Sequence, residues 1–317
     1  INLSGKGGLV WIKDRDSGSN SNILYDTERG AYKALISNLT NAESTRSTGL
    51  TGFTSSGFTL GSLGAENGSS NDKVSWTFRK QPKFFDVVTY TGNGTAGRTI
   101  SHNLGSVPGM IIIKCTNQSE NWLVYHRGSN SSPEDYYLEL NSTGAASSGS
   151  YWDNTLPTST EFTIGGNSGP INQTTGTYVA YLFAHNNNDG GFGPDSEDII
   201  KCGSWDSVQD QAVTVNLGFE PQFVMVKRSD GTGEWRVFDN MRGLTVGNDA
   251  ELEWSTSDAE VTSADRLDPT ATGFSSTLAN GSSGNTHIYM AIRRGGMRTP
   301  TAASDVFAID NQTASSA

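Results

Sequence analysis

The chain has 317 residues, 37 of them glycine, with 34% hydrophobic and only 17% charged residues, so uncharged Ser, Thr, Asn and Gly supply its polarity and salt-bridged long helices or coiled coils are disfavoured. No apolar run approaches the roughly 20 residues of a spanning helix, which excludes helical membrane insertion. A formal net charge of −11 excludes a general attraction to nucleic-acid backbones or anionic membranes.

In chain order, Ile1 to Gly7 has neither a basic nor an apolar leader region and reads as an internal or processed start. LVWIK (Leu9 to Lys13) is strand-like, and ILYDTERG (Ile23 to Gly30) follows as a short apolar-aromatic strand closing in Arg-Gly. ERGAYKALISN (Glu28 to Asn38) has the composition of about two helical turns. GFTLG (Gly57 to Gly61) and KVSWTFR (Lys73 to Arg79) complete the first third, and Lys80 to Lys83 reads as a linker.

The middle third opens with a hairpin, FFDVVTYTG (Phe84 to Gly92) and RTISHNLG (Arg98 to Gly105). A Pro-containing turn (Gly105 to Gly109) leads into MIIIK (Met110 to Lys114), WLVYHRG (Trp122 to Gly128), EFTIGG (Glu161 to Gly166) and TYVAYLFA (Thr177 to Ala184). Asn186 to Ser196, with NNNDGGFGPDS, is a second linker.

The final third repeats the order. DIIKCGSW (Asp198 to Trp205) and QAVTVNLG (Gln211 to Gly218) form the hairpin, then come GFEPQ, FVMVK (Phe223 to Lys227), WRVFDNMRG (Trp235 to Gly243), TGFSS (Thr272 to Ser276) and HIYMAIRR (His287 to Arg294). A second helix is expected around Ser257 to Asp265. DVFAID (Asp305 to Asp310) then begins another strand-like run.

Four landmarks in one order, spaced by about 100 residues, point to three homologous units. The expected fold is all-β: three tandem antiparallel β-sandwich or jelly-roll-like units with minor helix, over 1–80, 84–185 and 197–295, and a further segment or tail over 296–317. The first unit lacks its opening hairpin, which suggests a truncated beginning.

Chemistry is sparse. No histidine pair has zinc spacing, and no nucleophile elbow, phosphate loop or dinucleotide fingerprint occurs, so no cofactor is expected. Asp14 and Asp16 sit where alternating acids suit a calcium loop, but Ser19 and Tyr25 stand where an EF-hand needs Gly and Glu. Asp195, Glu197 and Asp198 form a second acidic cluster. Glu134, Asp135, Glu139, Glu251 and Glu253 are loose candidates for a paired-carboxylate glycosidase, the least favoured class. Arg29, Arg127 and Arg242 close equivalent strands, and with Asp26 and Asp239 three residues before their arginines they read as structural ion pairs or turn locks. Cys115 and Cys202 form no CxxC-type pair and read as small half-buried side chains. Tyr136, Tyr137, Tyr151 and Trp152 flank the polar stretch STGAASSGS, where exposed rings beside loops suit sugar stacking.

The Pro-led strand ending in Lys, the strand ending in Arg-Gly, the TGF segment and the YVAYLFA-type closing strand resemble a recurrent uncharacterised domain of predicted tail-fibre and other virion proteins in marine tailed phages, including cyanophages. The resemblance covers roughly Leu9 to Gly295 and its motifs are structural. It implies an extracellular, virion location, a homotrimer, contacts with other virion proteins, and attachment to a host surface glycan. Alternatives are a non-adhesive adaptor or capsid decoration and a surface-polysaccharide depolymerase.

Overall fold

The three apolar runs that close in lysine become central strands of three antiparallel sheets in the computed structural model, which describes residues 1–193, 196–278 and 281–295. DVFAID and the 296–317 segment lie outside the described residues, as does Asp195.

The first third gives β1 (Gly8–Asp14), β2 (Ile23–Asp26), β3 (Lys33–Ile36), β4 (Ser44–Thr45), a separate pair β5 (Leu50–Phe53) and β6 (Phe58–Leu60), and β7 (Lys73–Arg79). Its large sheet has the order β4-β3-β2-β1-β7. The second third gives β8 (Phe85–Thr91), β9 (Arg98–Ser101), β10 (Pro108–Cys115), β11 (Leu123–His126), β12 (Tyr136–Glu139), β13 (Ser147–Ser148), β14 (Glu161–Ile164) and β15 (Thr177–Ala184). They form the sheet β13-β12-β11-β10-β15-β8 and the pair β14-β9. The last third gives β16 (Ile200–Asp206), β17 (Val213–Asn216), β18 (Pro221–Arg228), β19 (Arg236–Asp239), β20 (Asp249–Glu253), β21 (Val261–Ala264), β22 (Leu267–Thr270), β23 (Gly273–Ser276) and β24 (Thr286–Arg293). Here the orders are β16-β24-β18-β19-β20-β21 and β17-β23-β22. Aligned on the lysine-ended strand, the three large sheets have the same neighbours. One difference stands out: β8 and β16 cover the closing strands β15 and β24, whereas β7 is an edge among the described residues.

Both expected helices are strands instead. After Asp26, the Arg29 N–H donates to Asp26 Oδ1 at 2.9 Å, and Gly30 takes φ +92°, a left-handed turn that a continuing helix does not tolerate. The chain then runs back along β2, pairing Ile36 with Ile23 and Leu35 with Leu24. Around Ser257 to Asp265, β21 pairs with β20. The α-helix among the described residues is Gly64–Asn67.

Strand alternation explains where the core sits. On β1, Leu9 and Trp11 enter the largest core cluster while Val10 and Ile12 enter a smaller one beside β5 and β6. On β18, Phe223 and Met225 enter that same largest cluster and Val224 and Val226 turn to a local core with Leu267 and Phe274. The largest cluster therefore joins residues of all three large sheets. Trp11 stacks on Trp254 at 4.0 Å, which joins the first and third sheets directly.

Polar contacts between the sheets run in one direction around a cycle. Lys13 Nζ of the first sheet donates to Ser257 O beside the third at 3.0 Å; Lys114 Nζ of the second donates to Thr40 O beside the first at 3.0 Å; Lys227 Nζ of the third donates to Thr143 O beside the second at 2.9 Å. Just before the next strand, Trp122 Nε1 donates to Ile36 O and Leu39 O, and Trp235 Nε1 to Glu139 O. Asn22 holds that place in the first sheet; its Nδ2 donates to Glu253 O and Thr256 O while its Oδ1 accepts the Trp11 indole N–H. A third ring of bonds links closing strands to strand ends: Trp76 Nε1 to Asp239 Oδ2, Tyr181 Oη to Asp26 Oδ2, and His126 Nε2 to Tyr289 O. Each of these buried polar groups thus finds a partner on or beside another sheet.

Candidate functional site

Because successive strand residues point to opposite faces, Tyr136 and Tyr137 on β12 do not share a surface. Tyr137 pairs in register with Ser147, and its ring meets Tyr151 edge-on at 4.7 Å and 87°. Tyr151 lies on a short 3-10 turn, Ser150–Trp152. Together they line an open groove of about 420 Å³ with Ser148, Gly149, Ser150, Asn167 and Ser168. A Cβ on Gly149 would stand 3.0 Å from the Tyr137 ring, so this glycine lets the backbone close on the tyrosine. Burial, with Tyr151 and Glu139 nearby, pushes the Tyr137 phenol up from its ordinary value, so it is a neutral donor at physiological pH. Among the described residues, no charged side chain lines this groove.

Trp152 corrects the expected site. It is 2% exposed, its Nε1 donates to Tyr136 O at 2.8 Å, and its ring packs against Tyr125 at 5.7 Å. Its neighbours in sequence are loop-like, but the indole turns inward and ties the 3-10 turn to β12. Trp152 therefore positions Tyr151 and offers no stacking face. Tyr136 lines a separate groove of about 510 Å³ between the second and third sheets, with Arg127, Asn130, Asp206 and Asp230. Because its walls come from distant parts of the chain, no local pattern announces it.

The arginine series divides in the same way. Arg29 Nε lies 2.6 Å from Asp26 Oδ2 and Arg242 Nε 2.6 Å from Asp239 Oδ2, all four side chains nearly or fully buried. Further carboxylates complete the locks, Glu43 for Arg29 and Glu260 for Arg242, so each guanidinium is paired as burial of a charge requires. Arg127 departs from the expected lock. The aspartate's place is taken by His126, whose Nδ1 accepts the Gly128 N–H, and Arg127 is exposed with no ion pair among the described residues.

The calcium candidates are also reassigned. Asp14 is fully buried and accepts from the Lys73 ammonium, Asn20, Asn71 and the N–H groups of Asp16 and Ser17. These donors outweigh the burial that opposes ionisation and hold its carboxyl well below the usual range. Asp16 caps the N–H of Asp72. Both acids fasten the end of β1, leaving no ligand set between them. In the second acidic cluster, Glu197 pairs with Arg293 and Asp198 with Lys201.

Among the loose carboxylate candidates, Glu251 is engaged by Arg236 and Arg266, each at 2.9 Å, and Glu139 accepts from Asn121. Glu253, on the same face of β20, is pushed up to about 7 by burial with Glu234 adding to it. Glu134 and Asp135 lie in a 3-10 turn, Pro133–Asp135, away from that face. Cys115 and Cys202 are both free and fully buried, and burial pushes the Cys202 thiol up to about 12, which makes it a poor nucleophile.

Residues 2–294 match the family described as domain of unknown function DUF7483. The chain belongs to this family. The matched range takes in all three large sheets and both tyrosine grooves, so the DUF7483 domain here extends over nearly everything described. No curated protein and no solved structure matches the chain.

Proposed function

We propose that this protein is a surface component of a tailed-phage virion, a tail fibre or other tail-surface part, that attaches to host glycans through the Tyr137–Tyr151 groove. The observation carrying the adhesive part is the edge-on tyrosine pair in a groove lined otherwise by Ser, Gly and Asn. Aromatic faces stack on the apolar side of a sugar ring, and hydroxyl and amide groups match its neutral hydroxyls. The virion setting and extracellular location rest on the sequence resemblance.

A folded Tyr151→Ala variant is expected to lose about tenfold in retention on an array of host surface polysaccharides, the scale of one aromatic contact. Retention by the wild type should change little with salt, since no counterion-releasing charges line the groove. Unchanged retention by Tyr151→Ala overturns this site. Absence of retention by the wild type favours the non-adhesive adaptor or decoration reading. A homotrimer belongs to the same proposal, and native mass spectrometry of the full chain reads it: a three-chain mass supports it and a one-chain mass rejects it.

A further inference from the structure

A groove between the first and third sheets has the shape of a missing strand. In the second sheet, β8 covers the outer edge of β15, pairing Phe85 with Phe183 and Val87 with Tyr181. In the third, β16 covers β24 in the same way, pairing Ile200 with Ile292 and Cys202 with Met290. Each covering strand also packs on the preceding sheet. Phe85 lies 5.7 Å from Phe78 of the first, and Gly128 of the second closes on the Gly203 backbone of β16.

By that cycle, a strand covering β7 would lie between β7 and the third sheet. The space is there: an open groove of about 240 Å³ runs along β7 from Val74 to Phe78, with Phe223, Asn240, Met241 and Ile292 on its far side. Met241 is 89% exposed at its lip, an apolar side chain with little to cover it. An uncovered strand edge beside apolar side chains is a pairing template that folded proteins ordinarily protect.

We propose that residues 306–310 of the same chain pair with β7 and fill this groove, completing the first sheet and closing the cycle of three. The argument for this occupant is chain order. Each closing strand is followed by the strand that covers the next sheet's closing strand: β7 leads to β8 through residues 80–84, and β15 to β16 through 185–199. After β24 the chain passes Arg294, whose N–H donates to Glu220 O near the groove's end. It then reaches DVFAID at Asp305 through a connection of intermediate length, 294–304. DVFAID aligns with DIIKCG (Asp198 to Gly203). Phe307 then takes the place of Phe85 and Ile200, opposite Phe78, and Ile309 that of Val87 and Cys202, opposite Trp76. Main-chain bonds to the edge supply affinity and the alternating apolar side chains fix the register. This inference is independent of the adhesive reading.

Hydrogen exchange read by mass spectrometry tests it on the full chain and on a Phe307→Asp/Ile309→Asp variant, whose changes lie in the segment proposed to pair. In the wild type the outward amides of Lys73–Arg79 should be protected. In the variant they should exchange at least about tenfold faster, while peptides over Leu9 to Lys13 stay unchanged. Equal exchange in the two proteins overturns the proposal: fast in both leaves the edge bare, and slow in both means that another strand covers it. Protection that rises with protein concentration alongside a two-chain mass assigns the groove to a second copy and likewise overturns it.

Discussion

Lys114→Ala is expected to destabilise the fold by about 3–5 kcal/mol, the range for stranding a buried polar network, read as a lower urea midpoint with an unchanged slope. Lys114 is 0% exposed and the three N–H groups of its ammonium are shared among four carbonyl oxygens within reach, those of Cys115, Gln118 and Glu120 on its own turn and Thr40 beside the first sheet. Burial pulls its pKa down to about 8, yet it remains a cation at neutral pH. Alanine would take the ammonium from each of those acceptors, leaving Thr40 O with the Glu120 N–H, and would open a cavity at the junction of two sheets. Lys114→Met keeps most of the volume and is expected to recover only a minor part of the loss, because the buried carbonyls still lack the ammonium. A loss under about 1 kcal/mol for Lys114→Ala would show that water replaces the ammonium.

His126 should withdraw stability from the fold on acidification below about pH 6.5. Its ring is fully buried, with Nδ1 accepting from Gly128 and Nε2 therefore donating to Tyr289 O, so the fold holds the neutral form. Burial, opposed by the Tyr289 bond and reinforced by Arg127 and His185, takes its pKa down from 6.5 to about 3. Between those values the unfolded chain binds the extra proton. Stability from this group is therefore intact above pH 6.5 and is lost as pH falls toward 3. The loss from pH 7.5 to 4.5 is about 2–3 kcal/mol for this residue alone. His102, His185 and His287 are lowered as well and act in the same direction. Asp249 and Glu253, raised to about 6 and about 7, act oppositely between the ordinary carboxylate range and those values and by a similar amount, so the His126 share is read as the difference between the wild type and a variant. His126→Gln keeps a donor for Tyr289 O. It should lower stability at pH 7.5 yet flatten the acid limb by about one proton; an unflattened limb would sink the assignment.

Much of the sheet framework was legible because the central strands are buried on both faces and so read as unbroken apolar runs. The Asp-to-Arg spacing at Asp26–Arg29 and Asp239–Arg242 was legible for a similar reason: both partners lie in one turn. What local pattern hides is anything completed from another sheet. The lysine closing each run looks like a strand leaving the core, yet Lys13, Lys114 and Lys227 are buried because acceptors arrive from elsewhere in the chain. Ala31, Ala34 and Leu35 looked helical; pairing with β2 overrides that propensity. Of the four aromatic candidates, Tyr137 and Tyr151 meet in one groove. Strand parity sends Tyr136 elsewhere and a long-range carbonyl bond draws Trp152 inward.

The directed cycle of contacts has a consequence for how the chain is made. Lys114 and Lys227 reach back 74 and 84 residues, to partners already synthesised. Lys13 must wait for Ser257, 244 residues later, and Asn22 for Glu253 and Thr256. As the polypeptide leaves the ribosome, the second sheet can dock on the first and the third on the second, but until the third arrives the Lys13 ammonium has only its local acceptors Asp14 O and Ser17 O, and the Asn22 amide lacks both of its carbonyl partners. Such distant pairings place the fold among slow, high-contact-order topologies. The sheet that emerges earliest is the one whose folding finishes last.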